Sequence, residues 1–431
     1  MIRRGPLVAR MRRARRWFGR GALLFAVALV VLLPPFATTA STARASNPTL
    51  AAPHPTDSIS LSIAAPTAGI ARPAATFPVL QWGTAFILYG PGDDAGHFMG
   101  QGAAMVVDDH LRNMTTFGGE GSEGLTNWTA NYNSTTGYFI VNVTNPTPSA
   151  RENASFADVP GRDFAVLFGG LTNLTTDASV NDTWVYYFGN QTWRNVTHGI
   201  APPAREAAAF AVNASGNVAL LEGGANPDYK VNGSSAAVFW NDTWSLNLTT
   251  FTWTQRHPTT APPPLFGSGM IWQNATNRYE LFGGCALGCS STLWTYGGQP
   301  ANWSPLRPAS GPSARGAAAF AWDGPNNIAV LFGGFDWGSG GVATPLGDGW
   351  LYSPRANVWT QLGATGGPFP VYDAPNAWAN YPGCEGLTLV GGSISLAAPP
   401  GTVSVLEPVG VNSTNCFPNL FLGGGSPPPL P

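Results

Sequence analysis

The chain has 431 residues, of which only 10% are charged, against roughly 25% in an average soluble domain. Its 53 glycines and 39 prolines make up about a fifth of it, which argues against coiled coils, helical solenoids and most α/β enzymes, all built on long Gly- and Pro-free segments. With 44% hydrophobic and 12% aromatic residues disorder is excluded too, leaving an all-β architecture of many short strands.

Residues 1–44 hold nine arginines and no acid, so the remainder carries 12 basic against 23 acidic residues, a net charge near −11. A body this acidic repels phosphates, and no nucleic-acid partner is expected. Arg12, Arg13, Arg15 and Arg16 precede an apolar run from Ala22 to Leu33, followed by an Ala43-x-Ala45 site. That order reads as an export signal cut after Ala45, residues 1–45. An uncleaved membrane anchor over the same stretch is the alternative, and would be the chain's only membrane contact. Either way the rest lies outside the cytoplasm, secreted or held at the cell surface. Residues 46–76, rich in Ala, Pro, Thr and Ser, read as a linker.

Phe77–Tyr89 reads as an extra apolar strand pair ahead of a repeat. Apolar runs then close on paired glycines at Phe117-Gly118-Gly119, Phe168-Gly169-Gly170, Glu222-Gly223-Gly224, Phe282-Gly283-Gly284 and Phe332-Gly333-Gly334. A weaker sixth is Val390-Gly391-Gly392. The spacings are 51, 54, 60, 50 and 58 residues, a period associated with propeller blades. Tryptophan pairs follow nine residues apart, at Trp184/Trp193, Trp244/Trp253, Trp294/Trp303 and Trp350/Trp359, with Thr129 and Tyr138 in the first unit. From second aromatic to next di-glycine the distance stays between 30 and 32 residues, so nearly all length variation falls in one loop per unit.

One unit places its strands at Ala207–Val212, Asn217–Leu221, Thr243–Leu246 and Phe251–Gln255. Such a sheet cannot bury both faces alone and needs neighbouring blades. Ala207–Ala209 and Ala317–Ala319 suit an inner strand crowded near an axis, while the tryptophans suit packing between blades. Residues 371–422 form a degenerate sixth unit, with Leu387–Val390 and Thr402–Leu406 as strands, and Phe77–Tyr89 could complete its blade. The propeller is expected over 77–422, with six blades or, alternatively, seven. The tail 423–431, Gly-Gly-Gly-Ser-Pro-Pro-Pro-Leu-Pro, reads as a linker.

These units resemble the kelch repeat, in which an Arg precedes the first strand, an apolar strand ends in Gly-Gly, and two Trp follow about nine residues apart. Arg205 through Gly224, Trp244 and Trp253 match that pattern, as do Arg151 through Gly170, Trp184 and Trp193, and Arg315 through Gly334, Trp350 and Trp359. The fourth unit has Leu265 where the Arg would stand, and the first has no matching Arg. The resemblance covers roughly residues 100–360. It implies a kelch-type β-propeller whose blades are four-stranded antiparallel sheets, and it leaves function open because the motif residues are structural. Galactose oxidase shares the fold, but its Cys-linked Tyr, second Tyr and two His cannot be matched here.

Antiparallel strands alternate direction, so the variable second-to-third loops and the blade-to-blade connections emerge on one face, where a ligand would be read. The longest such loops are Ala225–Trp240, with Asp228, Tyr229 and Lys230, and Phe335–Gly349, with Phe335, Asp336 and Trp337. An aromatic beside carboxylates can stack on and hydrogen-bond a sugar, or simply fold the loop onto itself. The expected function is a binding or structural module for a protein or glycan, acting as a monomer without cofactor. A secreted carbohydrate-active or oxidase-type propeller enzyme is the alternative. No catalytic residue is assigned, since no acid–base pair, G-x-S-x-G elbow, P-loop or dinucleotide fingerprint is found.

Sixteen Asn-x-Ser/Thr sequons stand at Asn113, Asn127, Asn133, Asn142, Asn153, Asn173, Asn181, Asn190, Asn195, Asn213, Asn232, Asn241, Asn247, Asn274, Asn302 and Asn412. Roughly four or five would occur by chance, so the sequence predicts a glycoprotein. The four cysteines suggest the local pairings Cys285–Cys289 and Cys384–Cys416 among three possible sets. Asp93, Asp94 and His97, or Asp108, Asp109 and His110, read as acidic turns and not as metal sites.

Overall fold

The computed structural model describes residues 80–86, 102–108, 113–121, 124–133, 138–142, 146–231, 234–337, 343–362, 371–372, 376–381, 384–390, 393–394 and 402–408. The export segment, the 46–76 linker, the 423–431 tail, Gly391, Gly392, Cys416, Asn232, Asn412 and the His97 and His110 turns lie outside them.

Within a unit, burial falls from the middle of the sheet outward. The second strands, such as Phe164–Phe168 and Ile328–Phe332, are buried at every position. Their uninterrupted apolar sequences suit a strand covered on both faces by neighbouring sheets. The fourth strands, Thr192–Asn195 and Thr252–Arg256, expose every residue except Trp193 and Trp253. That single tryptophan anchors the sheet's outer edge.

The fold is a β-propeller of antiparallel four-stranded sheets. Blade one runs Ala104–Asp108, Asn113–Phe117, Thr129–Asn133, Tyr138–Asn142, and blade two Ser155–Asp158, Phe164–Phe168, Thr183–Tyr187, Thr192–Asn195. Blade three runs Ala209–Val212, Val218–Glu222, Thr243–Asn247, Thr252–Arg256. Blades four and five are Phe266–Gln273, Arg278–Cys285, Leu293–Gly297, Asn302–Leu306 and Ala319–Asp323, Ile328–Phe332, Gly349–Ser353, Val358–Gln361. These five are each cut from one repeat unit. A further four-stranded sheet is shared between the two ends of the described chain: Leu80–Phe86 pairs with Thr402–Pro408, followed by Cys384–Val390 and Asn376–Tyr381. Among the described residues no other four-stranded sheet occurs. The six-or-seven-blade expectation thus narrows to five repeat blades plus this shared sheet.

Two details of the sequence reading need correction. Thr129 faces Phe117 as Thr183 faces Phe168, so Ala130, not Thr129, occupies the place of Trp184. Likewise Phe139, not Tyr138, takes the place of Trp193. A one-residue slip turns every side chain to the opposite face, so setting Tyr138 against the second tryptophans, with Thr129 nine residues before it, misplaced both. The variable connections are also not open loops. Ala225–Val231 pairs with Ser234–Phe239, Phe335–Trp337 with Ala343–Pro345, and Leu171–Asn173 with Ala178–Ser179. These hairpins all leave the second-to-third strand edge.

The di-glycines are the joints between blades. Gly169 has φ +67°, and a Cβ there would lie 2.6 Å from the Arg205 carbonyl oxygen of the next unit. Gly170 donates its N–H to that same oxygen at 2.9 Å. Gly119, Gly224 and Gly284 repeat the bond to Arg151, Leu265 and Arg315. A side chain would therefore be excluded here by backbone approach as well as by φ. Gly199, at φ +64° with nothing within 4 Å of a built Cβ, separates the two effects. Gly199→Ala should cost about 1 kcal/mol from positive φ alone. Gly169→Ala should cost clearly more, and equal urea midpoints for the two variants would show that the joint tolerates a methyl group.

Candidate functional site

Each complete unit buries an ion pair under its hairpin. Arg151 Nη1 meets Asp182 Oδ1, Arg205 meets Asp242 and Arg315 meets Asp348, each at 2.6 Å, and all three guanidinium side chains are fully buried. Both Nη atoms engage the carboxylate, a fork geometry only Arg supplies. Nη1 also donates to the carbonyl of the first joint glycine, Gly169, Gly223 or Gly333. The Asp in turn accepts the indole N–H of the Trp two residues on, Trp184, Trp244 or Trp350. Burial pushes the Asp348 carboxyl up, but hydrogen bonds from Arg315 and Trp350 and the Arg315 charge outweigh it, holding it below the usual carboxylate range.

A second set of contacts runs between blades. The outer-strand tryptophans Trp193, Trp253 and Trp303 donate their indole N–H to Thr129, Thr183 and Thr243 of the preceding blade. Trp193 and Trp253 also pack on Phe117 and Phe168, with ring centroids 4.9 Å apart in both cases. The sequence reading of the tryptophans as core holds for Trp184, Trp193, Trp244, Trp253, Trp303 and Trp359, all buried, while Trp294 and Trp350 are half-buried. It missed the Asp and Thr partners, although Asn-Asp-Thr-Trp recurs at 181–184 and 241–244. An Asp at fixed distance before Trp was the available signal.

At the border of blades three and four, Glu222 stands where other units have Phe. It is buried, accepts the Thr243 hydroxyl at 2.5 Å, and its Oε1 has no hydrogen-bond partner among the described residues. Desolvation raises its pKa from 4.5 to about 8, opposed by the Thr243 bond; the Asp242 charge adds to the rise, while Arg205 and Trp303 counter it. Glu280, buried in the next blade, is raised by desolvation to about 8 as well.

The sequence candidates for ligand contact fall on two separate hairpins, with blade four between them. Tyr229 is half-buried and meets Trp240 edge-on at 5.2 Å, with Arg205 over the same indole at 5.0 Å. The Asp228 backbone N–H donates to the Asn226 side-chain oxygen. The Lys230 side chain lies outside the described residues. Phe335 is buried against Cys285 and Ala343 and 5.1 Å from Trp337, while Asp336 and Trp337 are half-buried. Phe335 is thus the base of its hairpin.

Blade four departs from this scheme. Leu265 replaces the Arg, Thr292 stands two residues before Trp294 in place of the Asp, and the Trp294 Nε1 is buried without a partner among the described residues. Its second-to-third connection is a short loop closed by the Cys285–Cys289 disulfide. A cleft of about 760 Å³ lies over this position. The proposed Cys384–Cys416 partner lies outside the described residues. Sequons at Asn127, Asn173, Asn181, Asn190, Asn195, Asn241, Asn247 and Asn274 are exposed, whereas Asn153, Asn213 and Asn302 are half-buried. His198 and His257 are exposed, and no group of three His, Cys, Asp or Glu is placed to hold a metal among the described residues. The fold defines the chain as a β-propeller; no protein-family model matches it.

The ionisable groups set opposite pH limits. Folded Glu222 and Glu280 hold protons that the unfolded chain releases, so their stabilisation is complete below about pH 4.5 and is lost as pH rises through about 8. Asp348 acts in the other direction, losing its contribution as pH falls below the ordinary carboxylate value of 3.8. Urea midpoints measured from about pH 4 to pH 9 should therefore decline on the alkaline side. Glu222→Gln with Glu280→Gln should flatten that decline, and an unchanged slope would show that neither carboxyl is neutral when folded.

Proposed function

We propose that this chain is an exported, glycosylated kelch-type propeller acting as a binding module at the cell surface, with the hairpin face as its contact surface. The observation that carries this reading is the division of labour within each unit. Sheet side chains are consumed by packing between blades, while length variation is confined to hairpins that rise from one edge. Kelch-like units match the Arg-to-Trp pattern, and on this reading the shared sheet closes a six-bladed ring. Support comes from the innermost strands, because Asn376–Tyr381 packs against both Ala104–Asp108 and Ala319–Asp323. Closure of this kind covers the faces of the first and last blades and leaves only short outer strands as edges.

The domain plan follows: export segment 1–45, linker 46–76, propeller 77–422, tail 423–431. Leu80 and Pro408 are register partners, so the chain enters and leaves the ring at one edge, away from the hairpins. An anchored N-terminus would then leave the hairpin face pointing outward. The two perturbed carboxyls, Glu222 and Glu280, are buried between blades and out of reach of substrate, so they lend no support to an enzyme.

Two measurements test this reading. Expression in a secreting, glycosylating host should yield a chain lacking residues 1–45 with sugar on Asn181, Asn190, Asn241 and Asn247; an unmodified product retained in the cytoplasm counts against it. Replacing residues 227–238 by Asn-Gly should leave the thermal midpoint of the propeller within a few degrees. The same variant should lose at least tenfold in binding to a glycan array or to intact cells. Equal binding by both proteins, or none by either, would reject the hairpin face as the contact surface.

A further inference from the structure

We propose that the cleft at the border of blades three and four is a docking site for a neutral, extended segment of another protein, anchored by one bulky apolar side chain. This rests on the binding-module reading and specifies its partner. The cleft has an internal control, because blades two, three and five fill the corresponding volume with Arg–Asp pairs. In blade four Leu265 and Thr292 occupy those places, and the space stays open between the tall blade-three hairpin, ending at Phe239, and the short disulfide-closed loop.

The chemistry of the walls selects the occupant. Pro263, Pro264, Leu265 and Phe239 are apolar, and Leu287 at the rim is 77% exposed. No ionisable side chain lines the cleft, so a charged ligand would lose hydration with no countercharge to replace it. A neutral apolar group gains from burial instead. The cleft is open rather than enclosed, which suits a segment laid across it and not a small molecule that needs enclosure. Ser290 and Thr292 line the wall, the Ser290 hydroxyl already accepting the Thr292 N–H, and their side chains offer hydroxyls to the N–H and C=O groups of such a segment. A sugar would bring many hydroxyls to a surface with one aromatic ring and few polar partners.

The probe is an array of capped, uncharged nonapeptides with Leu, Phe, Trp or Pro at the centre, beside acidic, basic and glycan arrays. Wild-type chain should bind a subset of the uncharged peptides. Leu287→Ser should weaken that binding at least tenfold without altering the fold, since the side chain is exposed. Leu265→Arg with Thr292→Asp, which installs the pair found in blades two, three and five, should abolish it with little change in thermal midpoint. The proposal is overturned if no uncharged peptide binds, or if binding survives in both variants. Preference for charged peptides or glycans overturns it too, as does concentration-dependent dimerisation that Leu287→Ser abolishes. Hairpin-dependent cell binding that persists in Leu287→Ser would leave the general reading standing while removing this site.

Discussion

The buried arginine beneath each complete hairpin ties its own segment to three parts of the chain that are distant in sequence. Arg205 holds the Asp242 carboxylate, the Gly223 carbonyl and the Pro203 carbonyl, while its own carbonyl accepts the N–H of Gly170 in the preceding blade. One residue thereby fixes the entry of a blade, the base of its hairpin and its joint to the neighbour. A buried ion pair of this kind contributes little net stability, because desolvation offsets most of the attraction. Its worth here is geometric. Five donors in a planar fork admit one arrangement, so the same spacing is reproduced wherever Arg and Asp both occur.

The low charge of the molecule follows from that arrangement. Central strands are covered on both faces, so they cannot carry charge without a partner, and the three fully buried arginines all stand at blade entries. The outer strands of blades two, three and four are then held by one tryptophan each, and its indole N–H needs an acceptor once buried. A threonine of the preceding blade supplies it. Glu222 shows the limit of the rule: a carboxyl in a phenylalanine position is kept only by giving up its charge, with Thr243 and Trp303 completing a polar chain between blades.

Blade four shows what happens when the tie is missing. The joint still forms, since Gly224 bonds the Leu265 carbonyl and Gly284 the Arg315 carbonyl. The main-chain part of the junction is therefore independent of the guanidinium. What disappears is the filling beneath the hairpin, and a disulfide-closed loop lies beside the space. Structural economy in three units and an opening in one is how a repeat protein acquires a distinct surface without altering its frame.

The repeating frame was legible in the residues themselves. Strand positions in blade three fall within about two residues of those read from Ala207–Val212 and its successors, because paired glycines and tryptophans recur at nearly constant spacing and that spacing is backbone geometry. The Cys285–Cys289 pairing was legible for the same reason, being local. The register of blade one was not, since Thr129 and Ala130 differ only in which face they meet, and the partner strand decides that. Nor was the pairing of Arg with Asp, 31 to 37 residues apart across an elastic hairpin. By itself the sequence determined a propeller of repeated four-stranded sheets. Only the tertiary structure decided which polar groups meet inside it and where one blade leaves a cleft, because those depend on distances between units that no spacing along the chain encodes.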